Sequence, residues 1–217
     1  MNVDAIVIDS GCAHYQNETV VGGINLTSED EFDFYDRIGH GSAIINLIRT
    51  QNSFASIFVI KVCDSYNAFS YDLLCRAFDY IIKNNITAKI VNVSLGVISI
   101  NDYSYLQTLI SHLYKHNTLI VSAFSNDGLV SYPAAFNEVI GVDVSRECKK
   151  TFCFEYVENS IVNIRGSCGY YRAMDHNQNK NIFQGASFAS AYVTGFLLKN
   201  TNDIFNGNDC LKQAKKS

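Results

Sequence analysis

Four short segments of this sequence contain residues that together could perform covalent catalysis on a carbonyl group. Asp9 ends an apolar run, His40 lies between two glycines, Asn126 follows a second apolar run, and Ser187 lies among small residues. A serine hydroxyl can attack a carbonyl carbon if an imidazole takes its proton and a carboxylate orients that imidazole. An amide side chain can then stabilise the oxyanion that forms.

Each of these residues alone has a simpler interpretation. Asp9 could end a strand, Asn126 could belong to a turn, and Ser187 could cap a helix. His40 could be a polar residue at a helix end. Their joint occurrence, each in the local context that the chemistry requires, favours a catalytic role for the set.

The elements that position these residues are read from hydrophobic periodicity. Apolar, β-branched runs predict buried strands, and apolar residues spaced three and four apart predict helices. The predicted strands are 5–8, 56–62, 89–93, 118–121 and 139–142, and the predicted helices are 40–50, 70–84, 103–116 and 187–199. This alternation predicts an α/β fold: a doubly wound, mainly parallel sheet with helices on both faces. Residues 147–183 are irregular and predict short strands and loops.

The predicted topology also places the candidate residues near one another. In open parallel sheets, ligands bind beyond the carboxyl ends of the strands. Asp9 ends the first strand and Asn126 follows the fourth, so both are expected at that edge. His40 would begin a helix, where the positive end of the dipole opposes protonation and would favour a neutral imidazole.

These four segments resemble the subtilase (subtilisin-like) family. Val7–Gly11 and Gly39–Ser42 resemble its Asp and His motifs, residues 122–128 resemble its oxyanion Asn motif, and residues 185–191 resemble its Ser motif. The chain order Asp, His, Asn, Ser is the subtilisin order. The resemblance covers roughly residues 3–198, and it implies a catalytic triad of Asp9, His40 and Ser187, with Asn126 as an oxyanion donor.

The resemblance also implies where a peptide substrate would bind. Residues 91–96 resemble the family's Ser-Leu-Gly segment, so Ser94, Leu95 and Gly96 would pair with the substrate backbone and form a wall of the first specificity pocket. Phe124 replaces a small residue before the oxyanion Asn and is expected to narrow that pocket. Asp127, at the pocket edge, is expected to favour basic or polar substrate residues.

Other departures from the family pattern leave the catalytic groups in place. Ser42, Ala186 and Phe188 replace the usual Thr, Thr and Met of the His and Ser motifs. The N-terminal inhibitory propeptide and secretion signal of the family are not recognisable, so a compact form without a propeptide is expected. We expect one domain spanning residues 1–217, with residues 200–217 as a polar tail.

The overall composition argues against some classes of protein. The 217 residues carry a formal net charge of −4, whereas a nucleic-acid-binding protein needs a basic face. No apolar stretch is long enough to span a bilayer. The acidic stretch 29–36 predicts a solvated surface loop; alternatively, it would help Asp127 select basic substrate residues.

The cysteines and remaining histidines suggest no standard metal site. Cys63 and Cys75 lie in apolar runs, where reduced thiols are expected, and this favours the cytoplasm. Cys148, Cys153, Cys168 and His176 have spacings that fit no common zinc motif. His112 and His116 are spaced like a metal pair but are expected on a helix surface, and His14 in a loop. Calcium sites occur in many subtilases, but none can be mapped onto this sequence, and no cofactor is expected.

The sequence therefore predicts a serine endopeptidase that works through an acyl-enzyme, with a role in processing leader or precursor peptides. The expected partners are a peptide or protein substrate and an activating protein, with no nucleic acid and no membrane. The alternative is an inactive or partner-dependent subtilase-like module that binds peptides. A more remote alternative is an α/β protein that binds a nucleotide or flavin.

Overall fold

The computed structural model of the protein describes residues 1–64, 69–98, 102–145, 153–158, 160–167 and 170–200. Its main sheet has eight strands in the order β2-β3-β1-β4-β5-β6-β8-β7, and β9 and β10 form a separate hairpin. The strands are β1 (Asn2–Asp9), β2 (Val20–Asn25), β3 (Ile57–Lys61), β4 (Thr87–Val93), β5 (Leu119–Ala123), β6 (Val139–Ser145), β7 (Phe154–Tyr156), β8 (Ile164–Ser167), β9 (Tyr171–Met174) and β10 (Lys180–Phe183). The helices are α1 (His40–Gln51), α2 (Tyr71–Lys83), α3 (Ser104–Lys115) and α4 (Ala186–Asn200), and His14–Gln16 form one 3-10 turn.

The pairing within the main sheet is parallel except between β7 and β8. Helices α1 and α4 contribute to one buried apolar cluster, and α2 and α3 contribute to the other. The sheet separates the two clusters because its central strands bury side chains on both faces. The predicted doubly wound α/β fold is confirmed. Residues 201–217, where the polar tail is predicted, lie outside the described residues.

The predicted strands and helices all form, with ends shifted by a few residues. Helix α2 begins where the sequence indicates, because Ser70 Oγ accepts a hydrogen bond from the Leu73 N–H and so satisfies a free amide of the first turn. Strand β2 is not among the predicted strands. Its Gly22-Gly23 pair is typical of a turn, but a Cβ at Gly23 would lie 2.7 Å from the Phe34 ring, so close packing requires a glycine there.

Helix α4 is the central helix of the first cluster. Eleven of its residues are buried, so it is surrounded by protein on nearly all sides, as a core helix is. It packs closely on α1: a Cβ at Gly195 would lie 2.6 Å from the Ile48 carbonyl oxygen. The two helices begin with the segments that contain Ser187 and His40, so this contact fixes the two segments relative to each other.

Candidate active site

Asp9 and His40 form a direct hydrogen-bonded pair at the carboxyl end of β1. His40 Nδ1 lies 2.7 Å from Asp9 Oδ1, which also accepts the Ser10 N–H at 2.7 Å. The Asp9 side chain is fully buried, whereas the imidazole is 19% exposed. An anion at Nδ1 holds the hydrogen on that nitrogen and leaves Nε2 free to accept a proton.

The pKa of His40 is set by two opposing effects. Burial disfavours the charged imidazolium and lowers the pKa, but the nearby Asp9 carboxylate favours it, and the net shift is upward. The helix dipole alone was expected to favour the neutral form. A full charge in hydrogen-bond contact outweighs the partial charge of a helix end, so the imidazolium is stabilised instead.

A second buried carboxylate holds the start of the helix that contains His40. Asp36 Oδ1 accepts hydrogen bonds from Ser10 Oγ and from the Ile38 and Gly39 amides, at 2.8–2.9 Å. Its Oδ2 accepts the Ser42 amide at 2.8 Å and Ser42 Oγ at 2.6 Å. Asp36 is only 6% exposed, so the prediction of a solvated acidic loop is wrong at this position. The free amides of a helix N-terminus attract a carboxylate. The position of Asp36 shortly before a predicted helix could have indicated this contact, but the neighbouring acidic residues suggested a solvated loop instead.

We expect Asp36→Asn to lower the free energy of unfolding at pH 7 by about 1–3 kcal/mol. The substitution replaces a carboxylate oxygen, which accepts hydrogen bonds, with an amide NH2 group, which cannot accept them from the surrounding donors. Burial raises the pKa of Asp36, but the hydrogen bonds from Ser42, Gly39 and Ile38 outweigh it and lower the pKa. The stabilising contribution is therefore complete above the unfolded-state pKa of about 4 and is lost as the pH falls through the lower folded-state value.

Urea unfolding of the wild type and the variant at pH 7 and near pH 3.5 tests this expectation. The difference between the two proteins should shrink at the lower pH. Asp33→Asn is the matched control, since Asp33 pairs with the exposed Arg37 and such surface pairs contribute little. Equal effects of the two substitutions at pH 7 would contradict the role assigned to Asp36.

Ser187 lies in the first turn of α4 and is half-buried. Its Oγ donates to the Ser94 carbonyl oxygen at 2.8 Å, and no hydrogen bond among the described residues joins it to His40. The two segments are nevertheless adjacent, because the His40 ring packs edge-on against Phe188, with ring centroids 5.2 Å apart. Rotation about the Ser187 Cα–Cβ bond moves Oγ among its three staggered positions.

Polar side chains beneath the serine fix the segment that accepts its hydrogen bond. Asn92 Nδ2 donates to Ser94 Oγ at 2.8 Å, and Thr194 Oγ1 donates to Asn92 Oδ1 at 2.9 Å. Ser94 Oγ in turn donates to the Ser187 carbonyl oxygen at 3.2 Å. This buried network joins β4 to α4 and holds residue 94 next to the serine.

Asn126 lies on the loop after β5, beside the start of α4. Its Oδ1 accepts the Ala186 amide at 3.0 Å; within the described chain, neither Asn126 Nδ2 nor the Ser187 amide has a hydrogen-bond partner. The approach requires Gly185, which has φ +116° and whose Cβ, if present, would lie 2.9 Å from Asn126 Oδ1. Two unpaired N–H donors therefore lie close to the serine hydroxyl, as an oxyanion site needs.

The predicted substrate-binding residues differ in their accessibility. Ser94 is buried, Leu95 is half-buried, and Gly96 and Asp127 are exposed. Phe124 is 6% exposed, and a Cβ at Gly141 would lie 2.6 Å from its ring. It also lines a cavity of about 70 Å³ beneath the loop, together with Ser125, Gly128 and Ile161. The ring of Phe124 thus packs under the loop that contains Asn126.

An aromatic pair beside the histidine was not predicted as part of the site. The Phe183 and Phe188 rings stack with centroids 4.8 Å apart, and Phe188 contacts His40 as described above. The Phe188 ring thus covers part of the imidazole, which is 19% exposed. The signal available in the sequence was the Phe that follows Ser187.

Among the residues that the structure describes, His, Cys, Asp and Glu side chains form no cluster of three or more that could hold a metal ion. Cys63 and Cys75 are buried free thiols, as predicted, and so is Cys12. Cys153 is disulfide-bonded and thus unable to bind zinc as a thiolate, while Cys148 and Cys168 lie outside the described residues.

The weaker histidine candidates also have simple environments. His112 and His116 stack on each other on α3, with centroids 4.2 Å apart. His14 stacks on Tyr35 at 3.6 Å. None of these histidines lies among the residues around Ser187.

The sequence is similar to those of known proteins. The model of the Subtilase family matches residues 19–214, a range that includes His40, Asn126 and Ser187 and begins after Asp9. The minor extracellular protease Epr of Bacillus subtilis is 29% identical over 74% of this chain, which corresponds to 26% of the length of Epr. The major intracellular serine protease of the same organism is 26% identical over 90% of this chain and 67% of that protein. The chain thus spans between a quarter and two thirds of these relatives.

Solved structures show the same fold. A structure described as the structural basis of subtilase cytotoxin SubAB assembly superposes with a TM-score of 0.69, at 20% sequence identity, over 91% of this chain and 75% of that one. The described part of the chain contains no helix long and apolar enough to cross a membrane. With the family match extending over most of its length, this chain belongs to the subtilase family.

Proposed function

We propose that this chain is a serine endopeptidase that hydrolyses peptide bonds through an acyl-enzyme. The observation that carries the proposal is the hydrogen bond between the buried Asp9 carboxylate and His40 Nδ1, which are 2.7 Å apart. The segment that contains His40 also packs against the turn that contains Ser187. This arrangement gives the imidazole a fixed tautomer, and we infer that its free nitrogen faces the serine. The relatives named above are proteases, which supports the same reaction class.

In the first half of the reaction, Ser187 Oγ leaves the Ser94 carbonyl and attacks the substrate carbonyl carbon, while His40 Nε2 takes its proton. The oxyanion accepts hydrogen bonds from Asn126 Nδ2 and the Ser187 amide. His40 then gives the proton to the departing amine, the peptide C–N bond breaks, and an ester to Ser187 remains. Water attacks this ester with His40 again as base, and the proton returns to Ser187 Oγ as the acid product leaves.

A fluorophosphonate probe tests the proposal, because it phosphonylates only an activated serine. We expect labelling of the wild type and none of Ser187→Ala, with Ser53→Ala, a change in an exposed turn, as the matched control. A folded wild-type protein that resists the probe and cleaves no peptide would instead support the peptide-binding alternative. Absorbance of a co-purified cofactor would support the nucleotide or flavin alternative.

We expect Asn126→Ala to reduce kcat by about 10²- to 10³-fold, the usual effect of removing one oxyanion donor, with a smaller change in KM. Steady-state kinetics on a peptide substrate measures this, and the exposed Asn137→Ala serves as the control. A loss confined to KM would contradict the oxyanion role, because it would mean that Asn126 binds the ground state and the transition state equally.

The finer features of the function belong to the same proposal. We propose a cytoplasmic enzyme that processes leader or precursor peptides, that needs no cofactor, and that binds no nucleic acid or membrane. A homologue named as an intracellular protease supports the location, whereas the disulfide at Cys153 is more typical of an oxidising compartment. Activity that persists in EDTA, and activity of the purified chain alone, would test whether calcium or an activating partner is required.

A further inference from the structure

The serine lies at the mouth of a gap between two neighbouring strands. Strands β4 and β5 pair as far as Val93 and Ser122. Beyond this point the segments 94–96 and 123–126 continue without pairing. In the first segment, the Ser94 carbonyl oxygen accepts a hydrogen bond from the Ser187 hydroxyl at 2.8 Å. The second segment ends at Asn126, whose Oδ1 accepts the Ala186 amide.

This gap is where one substrate side chain must go if the chain is a protease. The substrate carbonyl carbon must lie at Ser187 Oγ with its oxygen towards Asn126. The preceding peptide then runs along the exposed backbone of Gly96, whose N–H and C=O have no hydrogen-bond partner among the described residues. The side chain next to the scissile carbonyl therefore enters between the two segments.

The side chain of Ser131 lies across the base of this gap. Ser131 Oγ accepts the Ser125 amide at 2.9 Å on one side. On the other side, a Cβ at Gly96 would lie 3.0 Å from Ser131 Oγ and 3.1 Å from its Cβ. Ser131 is fully buried, so the base of the gap between the two segments is filled.

The width of the gap is also fixed. Val97 and Tyr132 exchange two backbone hydrogen bonds, each 2.9 Å long, which tie the first segment to the residue after Ser131. The position of a Cβ at Gly96 is in addition only 3.4 Å from the Ala123 carbonyl oxygen. Widening the gap for a large side chain would break these backbone contacts.

We propose that Ser131 makes this gap a shallow slot, so that the protein cleaves after small residues such as glycine, alanine and serine. This inference rests on the proposed protease function and adds a substrate class to it. It also confines the predicted effect of Asp127 on basic substrates to positions other than the one before the cleaved bond, because a lysine or arginine side chain is too long for the slot.

A set of fluorogenic peptides that differ only in the residue before the scissile bond tests the slot. For the wild type we expect kcat/KM for the alanine peptide to exceed that for the leucine, phenylalanine or lysine peptide by at least about 50-fold. Enzyme pockets discriminate by about 10- to 200-fold between substrates that differ by one methylene group, and these side chains exceed alanine by several atoms. Equal cleavage after alanine and phenylalanine, or faster cleavage after lysine, would overturn the proposal.

Substitutions at Ser131 test whether this residue causes the preference for small residues before the scissile bond. Ser131→Gly should raise the ratio of kcat/KM for the phenylalanine peptide to kcat/KM for the alanine peptide by at least about 10-fold. Ser131→Thr should lower kcat/KM for the alanine peptide relative to that for the glycine peptide. Ser53→Gly, the same change in an exposed turn, should leave all ratios unaltered. If Ser131→Gly does not fold, Ser131→Ala retains the Cβ and should still shift the ratio towards larger residues. An unchanged ratio in folded variants would overturn the role of Ser131.

The same experiment separates failure of the slot from failure of the proposed function. A protein that reacts with fluorophosphonate but prefers large residues would be a protease without a restrictive slot. A protein that neither reacts with the probe nor cleaves any peptide of the set would fail the proposed function itself, and the specificity inference would fail with it.

Discussion

Replacing Ser187 or His40 with alanine is expected to reduce kcat by about 10⁵- to 10⁶-fold, because nucleophile and base act as one unit. Loss of either should therefore cost nearly as much as loss of both, and the double variant should be no slower than the worse single one. Single-turnover kinetics on a peptide ester and on the matching amide measures the effect.

Binding and stability measurements separate this loss from misfolding. Ser187→Ala should retain binding of a peptide substrate, measured by calorimetry, since it removes only one hydroxyl. It should also keep the unfolding midpoint close to that of the wild type. A variant that folds and retains more than a tenth of the wild-type kcat would contradict the assignment of Ser187 as nucleophile.

Asp9→Asn is expected to reduce kcat by about 10⁴-fold, the second large effect. An amide can donate a hydrogen bond to His40 Nδ1, which stabilises the tautomer with its hydrogen on Nε2 and leaves no base for the serine. The substitution should also change the pH profile. Activity requires the neutral imidazole, so wild-type kcat/KM should rise with pH through the His40 pKa, which Asp9 raises above its ordinary value. Without this carboxylate the inflection should move to lower pH.

Asp4→Asn provides the matched control for Asp9→Asn. Asp4 lies on the same strand, where it pairs with Lys89 and accepts hydrogen bonds from Ser56. Its loss should reduce stability slightly and leave both kcat and the inflection in place. An inflection that stays at the same pH in Asp9→Asn would show that another group controls the profile.

The order of the elements and the segments around the serine, histidine and asparagine could be predicted from the sequence, because these depend on local signals. Apolar runs indicated the strands, and apolar residues spaced three and four apart indicated the helices. Strand β2 could not be predicted, since Gly23 favours a turn locally and is required by the Phe34 ring, which is distant in sequence.

Two features of the candidate site were not predicted, for different reasons. Asp36 lies within an acidic run, which predicts solvent exposure and conceals that its carboxylate is within reach of the nearby Ile38, Gly39 and Ser42 amides. Phe124 was expected to narrow the first specificity pocket, and its ring packs beneath the loop that contains Asn126, where Gly141 leaves room for it. This second placement depends on a residue from another strand, so no local pattern reveals it.

The close contact between Gly195 and Ile48 gives helices α4 and α1, which contain Ser187 and His40, a common pivot. As many residues separate Gly195 from Ser187 as separate Ile48 from His40, so both side chains lie about 12 Å from the crossing point. A tilt of about 5° there would move either group by about 1 Å, a displacement that can reduce the rate by about 100-fold. The distance between serine and histidine is therefore controlled by a backbone contact in the core, far from any substrate.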